Sequence, residues 1–215
     1  SHELRTPLAA VLGYVETLLN PKAGGDQPTR ERFLNIIRHE AQRMHALVED
    51  LMSLSRIEAV KHEAPGDSVD MAALVRETAG EVRERADVRI SANCETALIA
   101  GDRGQMAQVL RNLIDNAIKY GKPDTPVTIT VETTPTGWLA LSVRDEGDGI
   151  APEHLPRLTE RFYRADTSRS RAAGGTGLGL SIVKHIVERH RGRFDIASRQ
   201  GMGTTASMML QLLKT

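Results

Sequence analysis

A three-four apolar rhythm runs through the first quarter of the chain and restricts it to paired helices. Leu4, Leu8, Val11, Val15 and Leu18 are spaced four, three, four, three, which sets them on one side of a helix reaching about Asn20. Pro21-Lys22-Ala23-Gly24-Gly25-Asp26-Gln27-Pro28 carries both helix breakers twice and reads as a loop. Phe33, Ile37, Met44, Leu47, Leu51 and Leu54 resume the rhythm in a second long helix to about His62. An antiparallel hairpin of this kind cannot cover its own apolar seam. Two of them can, as a four-helix bundle, so a homodimer through residues 1–62 is expected.

The period changes around Ala64-Pro65-Gly66-Asp67, and residues 63–68 read as a linker to a second domain at 69–215. Asp70 to about Arg85 is amphipathic, Val88-Arg89-Ile90 and Ala97-Leu98-Ile99-Ala100 are strand candidates, and Gln105 to Tyr120 is a strong helix. Val127, Ile129 and Val131, then Leu139, Leu141 and Val143, alternate with polar residues on either side of Thr134-Pro135-Thr136-Gly137. That pattern predicts a hairpin with one buried face. A helix from Leu178 to about His190 and strands at Arg193–Ser198 and Thr205–Leu212 complete the order. The class is α+β: a helical hairpin, then a sheet covered by helices on one face.

Charge excludes some partners. Lys plus Arg and Asp plus Glu are 28 each, so no global field favours nucleic acid or an anionic membrane. Cys94 stands alone, which rules out a disulfide framework or a thiolate metal cluster. No apolar run approaches the ~18 residues of a membrane span. The chain opens without Met inside a helical pattern, and is expected to be the cytoplasmic fragment of a longer, membrane-bound receptor.

Three glycine-rich loops carry the chemistry: Asp145-Glu146-Gly147-Asp148-Gly149, Gly175-Thr176-Gly177-Leu178-Gly179 and Gly201-Met202-Gly203-Thr204-Thr205. The second runs into a helix start, where free N–H groups favour a phosphate. It is not a Walker A, since no Gly-Lys-Ser/Thr follows, and Leu180 stands where a dinucleotide fingerprint needs glycine. On the 105–120 helix, Asn112, Asn116 and Lys119 share a face apart from the apolar stripe. In isolation that is a solvated surface; beside glycine loops, two amides can offer hard oxygens to Mg²⁺ and an ammonium can meet phosphate. Tyr120 is a candidate stacking surface for a base. Asp145, ending a strand, can accept a hydrogen bond from the exocyclic amine of adenine. Gly147 and Gly149 would let the backbone pass close to a flat ring. Charged Arg164–Ala173 reads as a lid over phosphates or as a plain loop.

In order and spacing these segments resemble the catalytic core of a two-component sensor histidine kinase, over almost the whole chain. His2-Glu3-Leu4-Arg5-Thr6-Pro7 is similar to the family's H box, and Asn112 to Tyr120 to its N box. Asp145 to Gly149 resembles the G1 box, Glu160-Arg161-Phe162-Tyr163-Arg164 the F box, and Gly175 to Gly179 the G2 box. Gly201 to Thr205 is similar to the last glycine motif, and the flavour is that of the phosphate-regulon sensor type. The resemblance implies a dimeric phosphoacceptor hairpin (HisKA) followed by a GHKL-type α/β sandwich that binds ATP. His2 would accept the phosphoryl group and Glu3 would take up the ring proton. Asn116, with Asn112, would hold Mg²⁺, Lys119 would meet the phosphates, and Asp145 would select adenine. Tyr120, Gly147, Gly149, Gly175, Gly177, Leu178, Gly179 and Thr205 would complete the nucleotide site. Phosphate would pass to an aspartate on a response regulator receiver domain, and Thr6 would orient a water that removes it again. The expected enzyme is a protein-histidine kinase with regulator phosphatase activity.

Four positions in three segments depart from the family pattern. Glu146 replaces an Asn and adds charge near the nucleotide, Leu158-Thr159 precedes the F box where bulkier apolar residues are usual, and Ala206 stands where an aromatic often follows. The chain starts one residue before His2, and further turns of that helix are expected upstream of it. His39 and His45 lack the His-Glu-x-x-His zinc spacing, and with His185 and His190 they read as surface or packing residues. Two other readings keep the glycine loops: a GHKL-type ATPase without phosphohistidine, and a non-catalytic nucleotide-binding scaffold.

Overall fold

The computed structural model describes residues 2–20, 26–60, 63–82, 84, 86–165 and 175–213. Helix α1 (His2–Leu19) and helix α2 (Gln27–Ala59) form the hairpin. Most of the loop expected between them, and the charged stretch read as a lid, lie outside the described residues. Tyr14 packs on Phe33 with ring centroids 5.1 Å apart, and Glu3 faces Arg43, so the two helices run antiparallel in register. The apolar rhythm of α1 is split between two directions. Leu4, Val11 and Leu18 are half-buried, whereas Leu8, Leu12, Val15 and Leu19 are exposed. A single hairpin leaves that outer row uncovered.

Strand β1 (Asp67–Asp70) follows, then helix α3 (Met71–Glu81), strands β2 (Val88–Ala92) and β3 (Leu98–Gly101), and helix α4 (Arg103–Tyr120). Strands β4 (Val127–Thr133) and β5 (Trp138–Asp145), a short 3-10 turn at Pro152–Arg157, helix α5 (Gly179–Arg189), and strands β6 (Arg193–Ser198) and β7 (Thr204–Gln211) complete the chain. The main sheet has the order β2-β4-β5-β7-β6, antiparallel except for the parallel β2–β4 pair. Strands β1 and β3 form a separate antiparallel pair. Asp67 and Ser68, read from sequence as linker, are therefore strand residues, paired with Gly101 and Ala100. Four residues are too short to show a period, and pairing with a distant strand decides their state.

Alternation sets the sheet's two faces. Leu139, Leu141, Val143 and Asp145 point to the buried side, and Ala140, Ser142 and Arg144 to the open one. On the buried side lie Met71, Leu74 and Val75 of α3, Met106, Val109, Leu110 and Ile114 of α4, and Ile182, Val183 and Ile186 of α5. Leu47, Leu54 and Ile57 of α2 join the same apolar cluster, so the hairpin and the α/β domain share a core. Carboxylates start two of the helices: Asp70 accepts from the N–H groups of Ala72 and Ala73, and Asp102 from that of Gln105. Asp70 also accepts from Ala97 N–H at 3.1 Å, which ties the start of α3 to the approach of β3.

His190, next after α5, is a buried packing residue. Its Nδ1 donates to Ile186 O at 2.8 Å and its Nε2 accepts from Asp102 N–H at 3.0 Å, joining the end of α5 to the start of α4. Burial, opposed by the bond to Ile186, holds its pKa below the ordinary 6.5. A second proton would remove the acceptor for Asp102. The unfolded chain binds that proton near the ordinary value and the folded one resists it, so the stability from neutral His190 is complete above that value and falls away below it. Urea midpoints should therefore drop between pH 7 and pH 5.5 more steeply in the parent chain than in His190→Gln. Equal slopes would show that the ring titrates freely.

Candidate functional site

Helices α2, α4 and α5, strands β5, β6 and β7 and the loops between them converge on one cavity of about 480 Å³ beside the buried face of the sheet. Helix α4 supplies Asn112, Asn116, Lys119 and Tyr120, because its apolar stripe is held against the sheet and its polar stripe is thereby aimed outward. Asn112 Nδ2 donates to Gly179 O at 3.4 Å, bringing α4 to the first turn of α5. Lys119 Nζ lies 5.2 Å from the centroid of the Tyr120 ring. The loop leading into α5 supplies Gly175, Thr176 and Gly177 and the helix itself Gly179; the N-cap residue Leu178 makes no side-chain cap bond, and among the described residues Thr176 Oγ1 accepts from the Leu178 N–H at 3.2 Å. The first N–H groups of α5 are left for a ligand, and the helix dipole favours an anion there.

Strand β5 brings Asp145 to the other end. Asp145 Oδ1 accepts from Gly147 N–H at 2.8 Å and from Thr204 N–H at 3.3 Å. Burial pushes its carboxyl above the ordinary carboxylate range, against those two hydrogen bonds and nearby Arg144. Both bonds fall on Oδ1, so neither uses the accepting capacity of Oδ2. Val143, Ile150, Ile196 and Ala206 give this end an apolar lining.

Not all the residues expected from sequence line the cavity. Leu178 is wholly buried in the core and serves as packing. Thr205 is on the opposite face of β7 by alternation; Thr204, opposite Asp145 in the register, lines the cavity instead. Gly147 and Gly149 are glycines because of the chain's own backbone. A Cβ on Gly147 would come within 2.2 Å of Tyr120 O, and one on Gly149, at φ +68, within 2.0 Å of Arg199 O. Gly149 lines the cavity and Gly147 does not. Glu146 is exposed and is not a lining residue, while Leu158 and Ala206 are.

Sequence reasoning missed Asp50, Tyr163 and Thr176 as lining residues. Thr176 lay in plain view inside the second glycine loop. Tyr163, whose hydroxyl is 2.7 Å from His154 Nδ1, carries Arg157 over its ring at 4.1 Å. Asp50 belongs to α2, and only docking brings it here. The Thr176 hydroxyl donates to Asp50 Oδ2 at 2.6 Å, Ser53 donates to Gln108 at 3.0 Å, Arg189 Nε donates to Val60 O at 3.1 Å, and Arg161 pairs with Glu58.

The first turn of α1 forms a second cluster. The His2 ring lies outside the described residues. Glu3 is 3.7 Å from the buried guanidinium of Arg43, which also meets Glu40 at 3.6 Å. Thr6, one turn after His2, is exposed. Asp50 follows Arg43 by seven residues, so the cavity wall stands about 10 Å along α2 from this turn. Among the described residues no group of three or more His, Cys, Asp and Glu could hold a metal, and the hard oxygen donors lining the cavity are the amides of Asn112 and Asn116 and the carboxylates of Asp50, Asp115, Asp145 and Asp148. Gly149→Ala should destabilise the domain by about 1–3 kcal/mol or more, as strain at positive φ adds to the clash with Arg199. Thermal melts would show it, and an unchanged melting temperature would mean the loop can shift at little cost.

Comparison with known proteins agrees with this geometry. Residues 1–60 match the family described as His Kinase A (phospho-acceptor) domain. Residues 101–214, more than half of the chain, match the histidine kinase-, DNA gyrase B- and HSP90-like ATPase family. The chain is 41% identical over 211 residues to the phosphate regulon sensor protein PhoR of Pseudomonas aeruginosa, covering 95% of this chain and 47% of that one. It is 37% identical to the sensor protein SrrB of Staphylococcus aureus, covering 95% of this chain and 36% of that one. The chain thus spans less than half the length of these relatives. The solved structure of the Acinetobacter baumannii histidine kinase AdeS superposes with a TM-score of 0.73 at 25% identity, covering 100% of this chain and 99% of that one. That of full-length ShkA in complex with AMPPNP does so at 0.71 and 26%, covering 100% of this chain and 45% of that one. A phospho-acceptor hairpin joined to a GHKL-type ATPase domain places this chain in the sensor histidine kinase family.

Proposed function

We propose that this chain transfers the γ-phosphoryl group of ATP to His2 and passes it to an aspartate of a response regulator, working as a homodimer through residues 1–62. The observation that carries this reading is the cavity itself. It sets a carboxylate acceptor for a base at one end and amides, an ammonium and an uncapped helix start at the other. A nucleotide triphosphate matches that order of groups. ShkA, of the same fold, is described in complex with the ATP analogue AMPPNP.

The base would lie over Val143, Ile196 and Ala206, with its exocyclic amine donating to Asp145 and Tyr120 beside it. The phosphates would meet the N–H groups that open α5, with Gly175, Gly177 and Gly179 allowing close approach, and Lys119 would supply positive charge. Asn116, with Asn112, would hold Mg²⁺, which when bound neutralises phosphate oxygens. Neutral imidazole is the nucleophile: the N–P bond forms as the bond to the ADP oxygen breaks, and the ring proton goes to Glu3. The contact between Glu3 and buried Arg43 supports a carboxylate kept in one place. Since the cavity wall stands about two helical turns from this level of α2, transfer requires the ATP domain to move along the hairpin or to serve the partner's histidine. The exposed row of Leu8, Leu12, Val15 and Leu19 supports a second hairpin covering the first. Segments outside this chain would carry the sensor and tether the core on the cytoplasmic side of a membrane.

Incubation with γ-labelled ATP and Mg²⁺ should give acid-labile, alkali-stable label that is lost in His2→Gln. Label persisting in that variant would refute the acceptor, and phosphate release without label would make the protein a plain ATPase. Thr6 is assigned to regulator dephosphorylation. Thr6→Ala should lower that activity by about 10²-fold or more while label on His2 survives. Equal loss of both would make Thr6 a structural residue of the turn.

A further inference from the structure

We infer that Asp50 makes the nucleotide site sensitive to the number of phosphates, by placing a carboxylate from the helical hairpin where the end of the phosphate chain would lie. The inference rests on the nucleotide reading of the cavity and goes beyond it. Asp50 belongs to α2, yet it lines the cavity together with Asn116, Lys119, Gly175 and Gly177. Its Oδ2 accepts from the Thr176 hydroxyl at 2.6 Å, and Thr176 Oγ1 accepts from Leu178 N–H at 3.2 Å. The carboxylate is thus one side chain removed from the uncapped start of α5, where phosphate is favoured. Burial and nearby Glu49 push its carboxyl upward against the Thr176 bond, so the site already resists this negative charge.

Phosphates seated at that helix start bring negative charge toward Asp50. An adenosine monophosphate leaves the Asp50 end of the cavity unfilled; each further phosphate reaches closer and meets stronger repulsion. Among the described residues, other contacts between the end of the hairpin and the ATP domain lie elsewhere: Leu54 and Ile57 in the shared core, Ser53 with Gln108, Glu58 with Arg161 and His185, and Val60 O with Arg189. Ser53, Glu58, Val60 and their partners are not lining residues, so they hold the two parts together without regard to nucleotide charge. Triphosphate therefore opposes the docking of α2 more than diphosphate does. Loading with ATP loosens the ATP domain from the hairpin, and the loss of one phosphoryl group lets Asp50 return to Thr176.

Isothermal titration of the whole chain with ATP, ADP and AMP in EDTA tests this. Asp50→Asn should tighten ATP on the order of tenfold, ADP by about threefold and AMP by less than about twofold, with the gains shrinking in high salt. Asp50→Ser should rank the three nucleotides in the same order. In a Ser53→Ala background, where docking is weakened outside the cavity, Asp50→Asn should still tighten ATP more than ADP and ADP more than AMP. Equal tightening of the three by Asp50→Asn would reduce Asp50 to a docking contact and overturn the inference. Unchanged or weaker ATP binding would overturn it too. If the parent chain binds none of the three, the nucleotide reading fails first and takes the inference with it; if it binds all three without the graded response, only the inference falls.

Discussion

Everything about the site depends on burial of the apolar stripe of α4. Met106, Val109, Leu110, Leu113, Ile114 and Ala117 are held against the sheet and the neighbouring helices. That contact removes the helix's freedom to rotate. Asn112, Asn116 and Lys119 then have one direction to point, and Asn112 reaches the first turn of α5. Hydrophobic packing, which carries no chemical information, in this way sets the aim of the polar groups that do.

The sheet performs the same service at the other end of the cavity. Continued alternation along β5 puts Asp145 on the buried side with Leu139, Leu141 and Val143, and β7 hands it a backbone donor from Thr204. A buried carboxylate held by two N–H groups is costly to place and well suited to reading a base. The glycines around it answer to the same crowding. Tyr120 O and Arg199 O occupy the space that a Cβ on Gly147 or Gly149 would need.

Much of this was legible in the residues. Periods of 3.5 and 2 located the hairpin, α4 and the β4–β5 pair, and glycine loops beside an Asn-Asn-Lys stripe marked residues that line the cavity. The failures have particular causes. Leu178 and Thr205 belong to the right motifs but fall on the core side or the far face, which depends on a register that spacing alone does not state. Asp67 and Ser68 took strand form from a partner more than thirty residues away. The single seam of α1 proved to be two rows, one for α2 and one left open, because a three-four rhythm marks an apolar band without saying how many neighbours share it.

The sequence by itself determined the two-part architecture, the family, and the groups available for chemistry, since periodicity and motif order are properties of the chain read locally. Tertiary structure alone decided which of those groups meet. It brought Asp50 of the hairpin to Thr176 of the glycine loop, Arg43 to Glu3, and His190 to the start of α4. These pairs are separated by tens of residues. Their proximity follows from how apolar faces pack together, a condition that no local pattern records.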